Sequence, residues 1–227
     1  MVLRVLLAER ARFAIESLLL SEKQARRLAP LVQDLVQDTP VFVATESVLE
    51  QVIGFDLHRG ILAMARPLTS PRLEELLALP GPQTVVLASG LTNHDNIGGV
   101  FRNLAAFGAS FALLDARCCD PFYRKALRVS VGGVLRVPFV RTGTDVELVR
   151  ALLAAGYEVL ALSPRGAVRL QDLRVGARRA LVLGTEGPGL SEEVLALCTS
   201  VRLDMHGGFD SLNVATTSGI ALYALSS

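Results

Sequence analysis

Thr84-Val-Val-Leu-Ala-Ser-Gly-Leu-Thr-Asn-His-Asp-Asn96-Ile-Gly-Gly-Val-Phe-Arg102 holds a strand, a polar turn and a helix start in one short run. Thr84–Ala88 is apolar without alternation, as expected of a strand covered on both faces. Asn96 to Phe107 carries apolar residues at helical spacing and stops at Gly108. The same unit recurs downstream. Phe111-Ala-Leu-Leu, Val137-Pro-Phe-Val, Tyr157-Glu-Val-Leu-Ala-Leu and Ala180-Leu-Val-Leu-Gly read as further strands, with a helix over Val146 to Ala155 between the second and third. A strand near Val201-Arg-Leu and a helix from Leu212 to Leu225 close the chain. Continuous apolar strands alternating with helices predict an α/β domain on a parallel sheet over 83–227.

Upstream the texture differs. Phe13-Ala-Ile-Glu-Ser-Leu-Leu-Leu has apolar residues at helical spacing, Val41-Phe-Val-Ala reads as a strand, Glu46 to Ile53 as a helix closed by Gly54, and Ile61-Leu-Ala-Met-Ala as a strand. Residues 1–66 are therefore expected to form a small α+β domain. Pro67, Pro71, Pro80 and Pro82, around the helical Leu73-Glu-Glu-Leu-Leu-Ala-Leu, mark 67–82 as a linker.

The chain has 227 residues, 51% of them hydrophobic, which supplies a sizeable core and excludes disorder as the main theme. A net charge of +1 gives no bulk signature for nucleic acid or anionic membrane. Mean hydropathy is +0.42, yet no stretch approaches the roughly 18 apolar residues of a spanning helix, and the N-terminus is too charged for a secretion signal. A soluble, cytoplasmic protein with no membrane role is expected. Cys118, Cys119 and Cys198 are an odd set that suits reduced thiols, and His58, His94 and His206 show no metal-ligand spacing. No metal is expected.

In open parallel sheets, ligands bind beyond the carboxyl ends of the strands. Three such loops carry polar residues and glycines. In the first, Asn96 is expected to cap a helix, and Arg102 has a side chain long enough to return toward the loop; Gly98 and Gly99 admit a ligand or another backbone. A plain capped helix with an exposed Arg explains the same residues. The second, Leu183-Gly-Thr-Glu-Gly-Pro-Gly-Leu-Ser-Glu-Glu, lacks the Lys of a phosphate loop and the spacing of a dinucleotide fingerprint. Its acids, Glu186, Glu192 and Glu193, favour a neutral or cationic ligand, while Ser191 is set to cap a helix. The third, Met205-His-Gly-Gly-Phe-Asp-Ser-Leu-Asn-Val-Ala-Thr-Thr-Ser-Gly, clusters Ser211, Asn213, Thr216, Thr217 and Ser218 at a helix start. A satisfied helix terminus and a small-molecule pocket both account for it.

Taken in order, Asn96-Ile-Gly-Gly-Val-Phe-Arg102, Leu183-Gly-Thr-Glu-Gly-Pro-Gly-Leu-Ser191 and Ser211-Leu-Asn-Val214 resemble the three motifs of the SpoU-type (TrmH) RNA 2′-O-ribose methyltransferases of the SPOUT superfamily. Asp120-Pro-Phe-Tyr-Arg-Lys-Ala-Leu-Arg-Val-Ser-Val-Gly-Gly is similar to that family's stretch between the first two motifs, and 1–66 more loosely to its substrate-binding module. The resemblance covers about 80–225.

It implies a C-terminal trefoil knot, S-adenosyl-L-methionine as cofactor, an rRNA or tRNA substrate and a homodimer. Carried over by position, Leu183, Gly184, Glu186, Gly187, Leu203, Met205 and Leu212 would bind the cofactor, and Asn96, Arg102, Glu186, Ser211 and Asn213 would form the catalytic group. Arg102's counterpart is proposed in the family as the base. A guanidinium is a poor proton acceptor, so holding a phosphate and stabilising charge on oxygen is an equal role. RNA would meet basic residues such as Arg4, Arg10, Arg12, Arg26 and Arg27 with Arg124, Lys125 and Arg128. One departure is Leu203-Asp204-Met205, where the family usually has Ile-Pro-Met; the chain also ends on a short last helix. The competing readings are a non-catalytic RNA-binding or assembly protein that keeps the fold, and a nicotinamide-dependent oxidoreductase, which the glycine spacing disfavours.

Overall fold

The computed structural model describes residues 2–33, 35, 37–53, 60–185, 187–207 and 211–226. By contacts the chain divides into two compact units, Leu6–Thr69 and Met1–Val5 with Ser70–Ser227, so one boundary lies in the proline-marked stretch 67–82 and the other between Val5 and Leu6, which groups 1–5 with the larger unit and not with the rest of 1–66.

Helix α1 (Val2–Ala8) opens the chain. The smaller unit holds strand β1 (Phe13–Ser21), helix α2 (Glu22–Val32), strand β2 (Val41–Ala44), helix α3 (Glu46–Ile53) and strand β3 (Ile61–Pro67). Its sheet has the order β2-β1-β3, with β1 parallel to β2 and antiparallel to β3. The helix expected over 13–20 is thus a strand. A register shift between Ile15 and Ser17 explains the misleading spacing: Phe13, Leu18 and Leu20 are buried, but the bulge moves the inward positions from odd to even numbers. An alternating pattern broken by one residue imitates the three-to-four spacing of a helix. Ser21 then caps α2 by accepting from the Gln24 amide. Gly54, read as closing α3, lies outside the described residues.

The larger unit runs α4 (Leu73–Leu77), β4 (Gln83–Ala88), α5 (His94–Ala106), β5 (Phe111–Leu114), α6 (Arg124–Val129), α7 (Gly133–Arg136), β6 (Phe139–Arg141), α8 (Asp145–Ala154), β7 (Glu158–Leu162), β8 (Val168–Arg169), β9 (Arg178–Leu183), α9 (Glu192–Leu197), β10 (Thr199–Arg202) and α10 (Val214–Leu225). Seven strands form one sheet in the order β6-β5-β4-β9-β7-β10-β8, every pairing parallel. Successive residues of its central strands serve opposite faces. Val86, Leu160 and Leu181 pack with Ile97, Phe101 and Leu104 of α5 and Leu222 of α10. Val85, Leu87, Val159 and Val182 pack with Leu148 and Leu152 of α8, Val194 of α9 and Leu76 of α4. Both faces are covered, which is why these strands read as unbroken apolar runs. The segment expected as a linker contributes α4, with Leu76 in this core.

One connection departs from a plain doubly wound sheet. β10 lies between β7 and β8, which are consecutive in the chain. Leu162 of β7 and Val168 of β8 both pair with Val201, so residues 163–167 cross β10 at that level. The Ser163 amide donates to the Val201 carbonyl at 2.9 Å, and a side chain on Gly166 would stand 2.3 Å from the Val201 carbonyl carbon. Arg202 donates to the carbonyls of Gly166 and Ala167 at 2.8 and 3.0 Å. Asp204 accepts from Arg169 and Arg202, and the hydrogen bond from Arg169, followed by the other contacts of the two guanidiniums, holds its carboxyl below the ordinary aspartate range. Asp204 therefore ties the end of β8, just past the crossing segment, to the end of β10.

Gly166→Ala is expected to cost about 1–3 kcal/mol, since the strain falls on backbone that cannot rotate away; urea unfolding measures it. The Asp204 tie contributes fully above the ordinary aspartate range and weakens as pH falls through the lowered folded value. Asp204→Asn should remove this acid limb from a plot of melting temperature against pH.

Candidate functional site

The carboxyl ends of β7, β9 and β10 open onto a cavity of about 870 Å³. The β9 wall is Leu183, Gly184, Thr185 and Gly187 to Leu190. Gly184 needs to be glycine because a Cβ there would meet the Gly189 carbonyl carbon and the Leu190 amide at 2.8 Å. Gly187 and Gly189 take positive φ, and Thr185 bridges to Gly189, folding the loop tightly on itself. Ser191 caps α9 by accepting from the Val194 amide, as its position suggested. The β10 wall is Leu203 and Met205 with Ser211, Leu212, Asn213, Val214 and Thr217. The third wall, Leu162 to Arg165 beyond β7, is a fourth strand-end loop that the motif reading passed over. The rule that ligands sit beyond carboxyl ends applied to it equally.

Six of the residues expected to bind the cofactor, Leu183, Gly184, Gly187, Leu203, Met205 and Leu212, line this one cavity. Ser211 and Asn213 of the expected catalytic group line it too. Glu186 lies outside the described residues.

Asn213 has two tasks. Its Oδ1 caps α10, accepting from the Ala215 amide at 2.9 Å and the Thr216 amide at 3.4 Å, while its Nδ2 donates to Asn96 Oδ1 at 2.8 Å. Asn96 does not cap α5. That role belongs to Asn93, which accepts from the Asp95 amide at 2.8 Å, so the helix begins two residues before the expected start. Asn96 sits instead in the first turn, buried, with its amide turned toward α10. The helix pair closes on small residues. A Cβ on Gly99 would lie 2.5 Å from that of Ala215, and Asn103 donates to the Ala215 carbonyl at 2.6 Å and to Ser218 at 2.9 Å. Gly98 faces Val129 of α6 in the same way. Of the two uses open to these glycines, admitting another element is the one seen.

Arg102 is not in the cavity. Six residues turn a helix by about 600°, leaving Arg102 about 120° around from Asn96. Asn96 points inward; the Arg102 side chain is exposed and makes no hydrogen bond or ion pair among the described residues.

Behind the first loop stands a buried polar cluster that sequence reasoning missed. Asp115 accepts from the amides of Gly90 and Cys118 and pairs with Arg117 at 2.6 Å. Asp145 accepts from Ser89 at 2.6 Å and from Arg117 at 2.9 Å. The Ser89 amide donates to the Leu183 carbonyl at 2.8 Å, joining the first loop to the second. These residues hold the approach to α5. Cys118 shares the cluster, with its thiol pushed up to about 12, chiefly by burial, and burial raises the neighbouring Cys119 thiol as well, which disfavours the thiolate at both. Among the described residues no group of His, Cys, Asp or Glu is arranged to hold a metal, and no helix is long and apolar enough to cross a membrane. Of the basic residues expected at RNA, Lys125 pairs with Asp95 at 2.6 Å and Arg12 and Arg26 lie 3.8 Å from Glu9 and Glu22.

Asn213→Ala is expected to lose about 1 kcal/mol through the missing cap, while Asn213→Asp keeps the cap and loses the donor to Asn96. A double-mutant cycle with Asn96→Ala should give a coupling of about 0.5–1.5 kcal/mol for the amide pair.

Residues 83–223 match the model of the SpoU rRNA Methylase family. An uncharacterized tRNA/rRNA methyltransferase of Mycobacterium bovis is 39% identical over 204 residues, 87% of this chain and 70% of the relative. The 23S rRNA (guanosine-2′-O-)-methyltransferase RlmB of Vibrio vulnificus is 26% identical over 96% of this chain and 90% of its own. The SpoU methyltransferase AviRb of Streptomyces viridochromogenes, solved in complex with AdoMet, superposes with a TM-score of 0.81 at 24% identity, covering 100% of this chain and 87% of that one.

Proposed function

We propose that this chain, which belongs to the SpoU rRNA Methylase family, methylates a ribose 2′-hydroxyl of rRNA or tRNA with S-adenosylmethionine. The observation that carries the reading is the convergence of three strand-end loops on one cavity beside the Asn96–Asn213 pair. The volume suits a small organic ligand, and the lining mixes apolar side chains and glycine main chain with the polar side chains of Ser163, Thr185, Ser211, Asn213 and Thr217 and the charge of Arg165. When bound, S-adenosylmethionine supplies a methyl group made electrophilic by its sulfonium.

The chain's residues divide the remaining work. Leu183, Gly184, Gly187, Leu203, Met205 and Leu212 bind and orient the cofactor, with Glu186 at the same loop. Asn213, fixed by its own capping bonds and by Asn96, orients the ribose together with Ser211. Arg102 holds an RNA phosphate and offsets the charge that develops on the 2′-oxygen, whose proton leaves to water. Because Arg102 lies outside the cavity of its own chain, this reading includes a homodimer whose second copy completes the site. The crossing of 163–167 over β10 is, on the same reading, the trefoil knot of the family. The relatives named as tRNA/rRNA and 23S rRNA methyltransferases support the substrate class.

Labelled methyl from S-adenosylmethionine, transferred to RNA lacking the modification, should appear after alkaline hydrolysis in alkali-resistant dinucleotides. Label in mononucleotides would mean base methylation. Arg102→Ala should lower kcat at least about 100-fold with cofactor affinity nearly unchanged; near-normal turnover would contradict the assigned role. Light scattering should give a dimer, and a stable active monomer would contradict the shared site.

A further inference from the structure

Three arginines stand at the crossing, and they are not equivalent. Arg169 and Arg202 share the Asp204 carboxylate. Arg165, on the crossing segment itself, has no ion pair among the described residues and is exposed. It is also the only charged side chain among the described residues that line the cavity. Its backbone is fixed from both sides: the Gly166 amide donates to the Ser163 carbonyl at 3.0 Å, the Ala167 amide to Ser200 Oγ at 3.0 Å, and the Arg165 amide lies 3.4 Å from Ser163 Oγ. An unpaired guanidinium on an anchored loop, at the rim of an otherwise uncharged wall, is placed to receive an anion.

We infer that Arg165 binds the α-carboxylate of the cofactor's methionine portion and so positions it in the cavity. The inference rests on the cofactor reading above. S-adenosylmethionine carries one anionic group, and a guanidinium matches a carboxylate with two parallel N–H···O bonds. Nothing else charged among the described lining residues is available to that group. Arg165 is a positioning residue here; it selects the amino-acid end of the ligand and does not touch the reacting atoms.

The test pairs a change in the protein with the matching change in the ligand, read as binding by calorimetry on the full chain. Arg165→Gln should weaken S-adenosylmethionine about tenfold or more and leave decarboxylated S-adenosylmethionine within twofold of its affinity for the wild type, with Arg165→Lys between the two. The melting temperature of each variant without ligand should stay at the wild-type value, since the side chain is exposed. Equal weakening of both ligands would mean that Arg165 acts through the loop's shape and would overturn the inference. So would unchanged binding of both ligands with weakened RNA binding, which would assign Arg165 to a phosphate of the substrate. Failure of the wild-type protein to bind either ligand would instead sink the cofactor reading on which the inference stands.

Discussion

The close approach of two backbone segments, 163–167 over Val201 and Arg202, is the constraint on which the rest of this architecture depends. β10 can sit between β7 and β8 only if the short link between those strands passes directly over it. Gly166 permits that contact, and Arg202 satisfies the carbonyls that the crossing would otherwise leave without partners. The consequence reaches the site. With the crossing in place, the ends of β7 and β10 stand side by side next to β9, and their loops become three walls of one cavity. A conventional connection would send the chain after β7 away from this edge, and Ser163 to Arg165 with it.

The second constraint joins the cavity to the helices. The Asn213 side chain is held as the cap of α10 and by its bond to Asn96, and the small residues between α5 and α10 bring the two helix starts close enough for that bond. The buried Asn96 amide at the start of α5 is thereby partnered from the cap residue of α10. Ser89, Asp115, Asp145 and Arg117 fix the first loop from the opposite side and, through the Leu183 carbonyl, the second loop as well. Preorganisation of this kind keeps donors and acceptors in place before a ligand arrives.

Much of this was legible in the sequence. The strands at 111–114 and 41–44 stand where their apolar runs put them, and two of the three polar loops line one cavity, while the first is joined to them through the Asn96–Asn213 and Ser89–Leu183 hydrogen bonds. What failed, failed for physical reasons. The bulge at Ile15–Ser17 disguised β1 as a helix, because periodicity carries no record of a one-residue slip. The start of α5 was misplaced because Asn93 and Asn96 are both good caps, and only the Asn213 contact shows which is free to face inward. The stretch with four prolines reads as a linker, yet α4 sits within it and buries Leu76. The β7 loop was passed over because Ser-Pro-Arg-Gly carries no motif; its importance comes from the crossing, which no local pattern encodes. Family resemblance supplied the roles of Arg102 and Glu186, which spacing alone left open.

The most direct test of this account is amide hydrogen exchange of the full chain with and without S-adenosylmethionine. The account predicts new protection concentrated in the three walls, 162–165, 183–185 with 187–190, and 203–205 with 211–214, with little change in the smaller unit. Protection elsewhere, or none at a saturating cofactor concentration, would contradict the claim that the crossing builds the cofactor site.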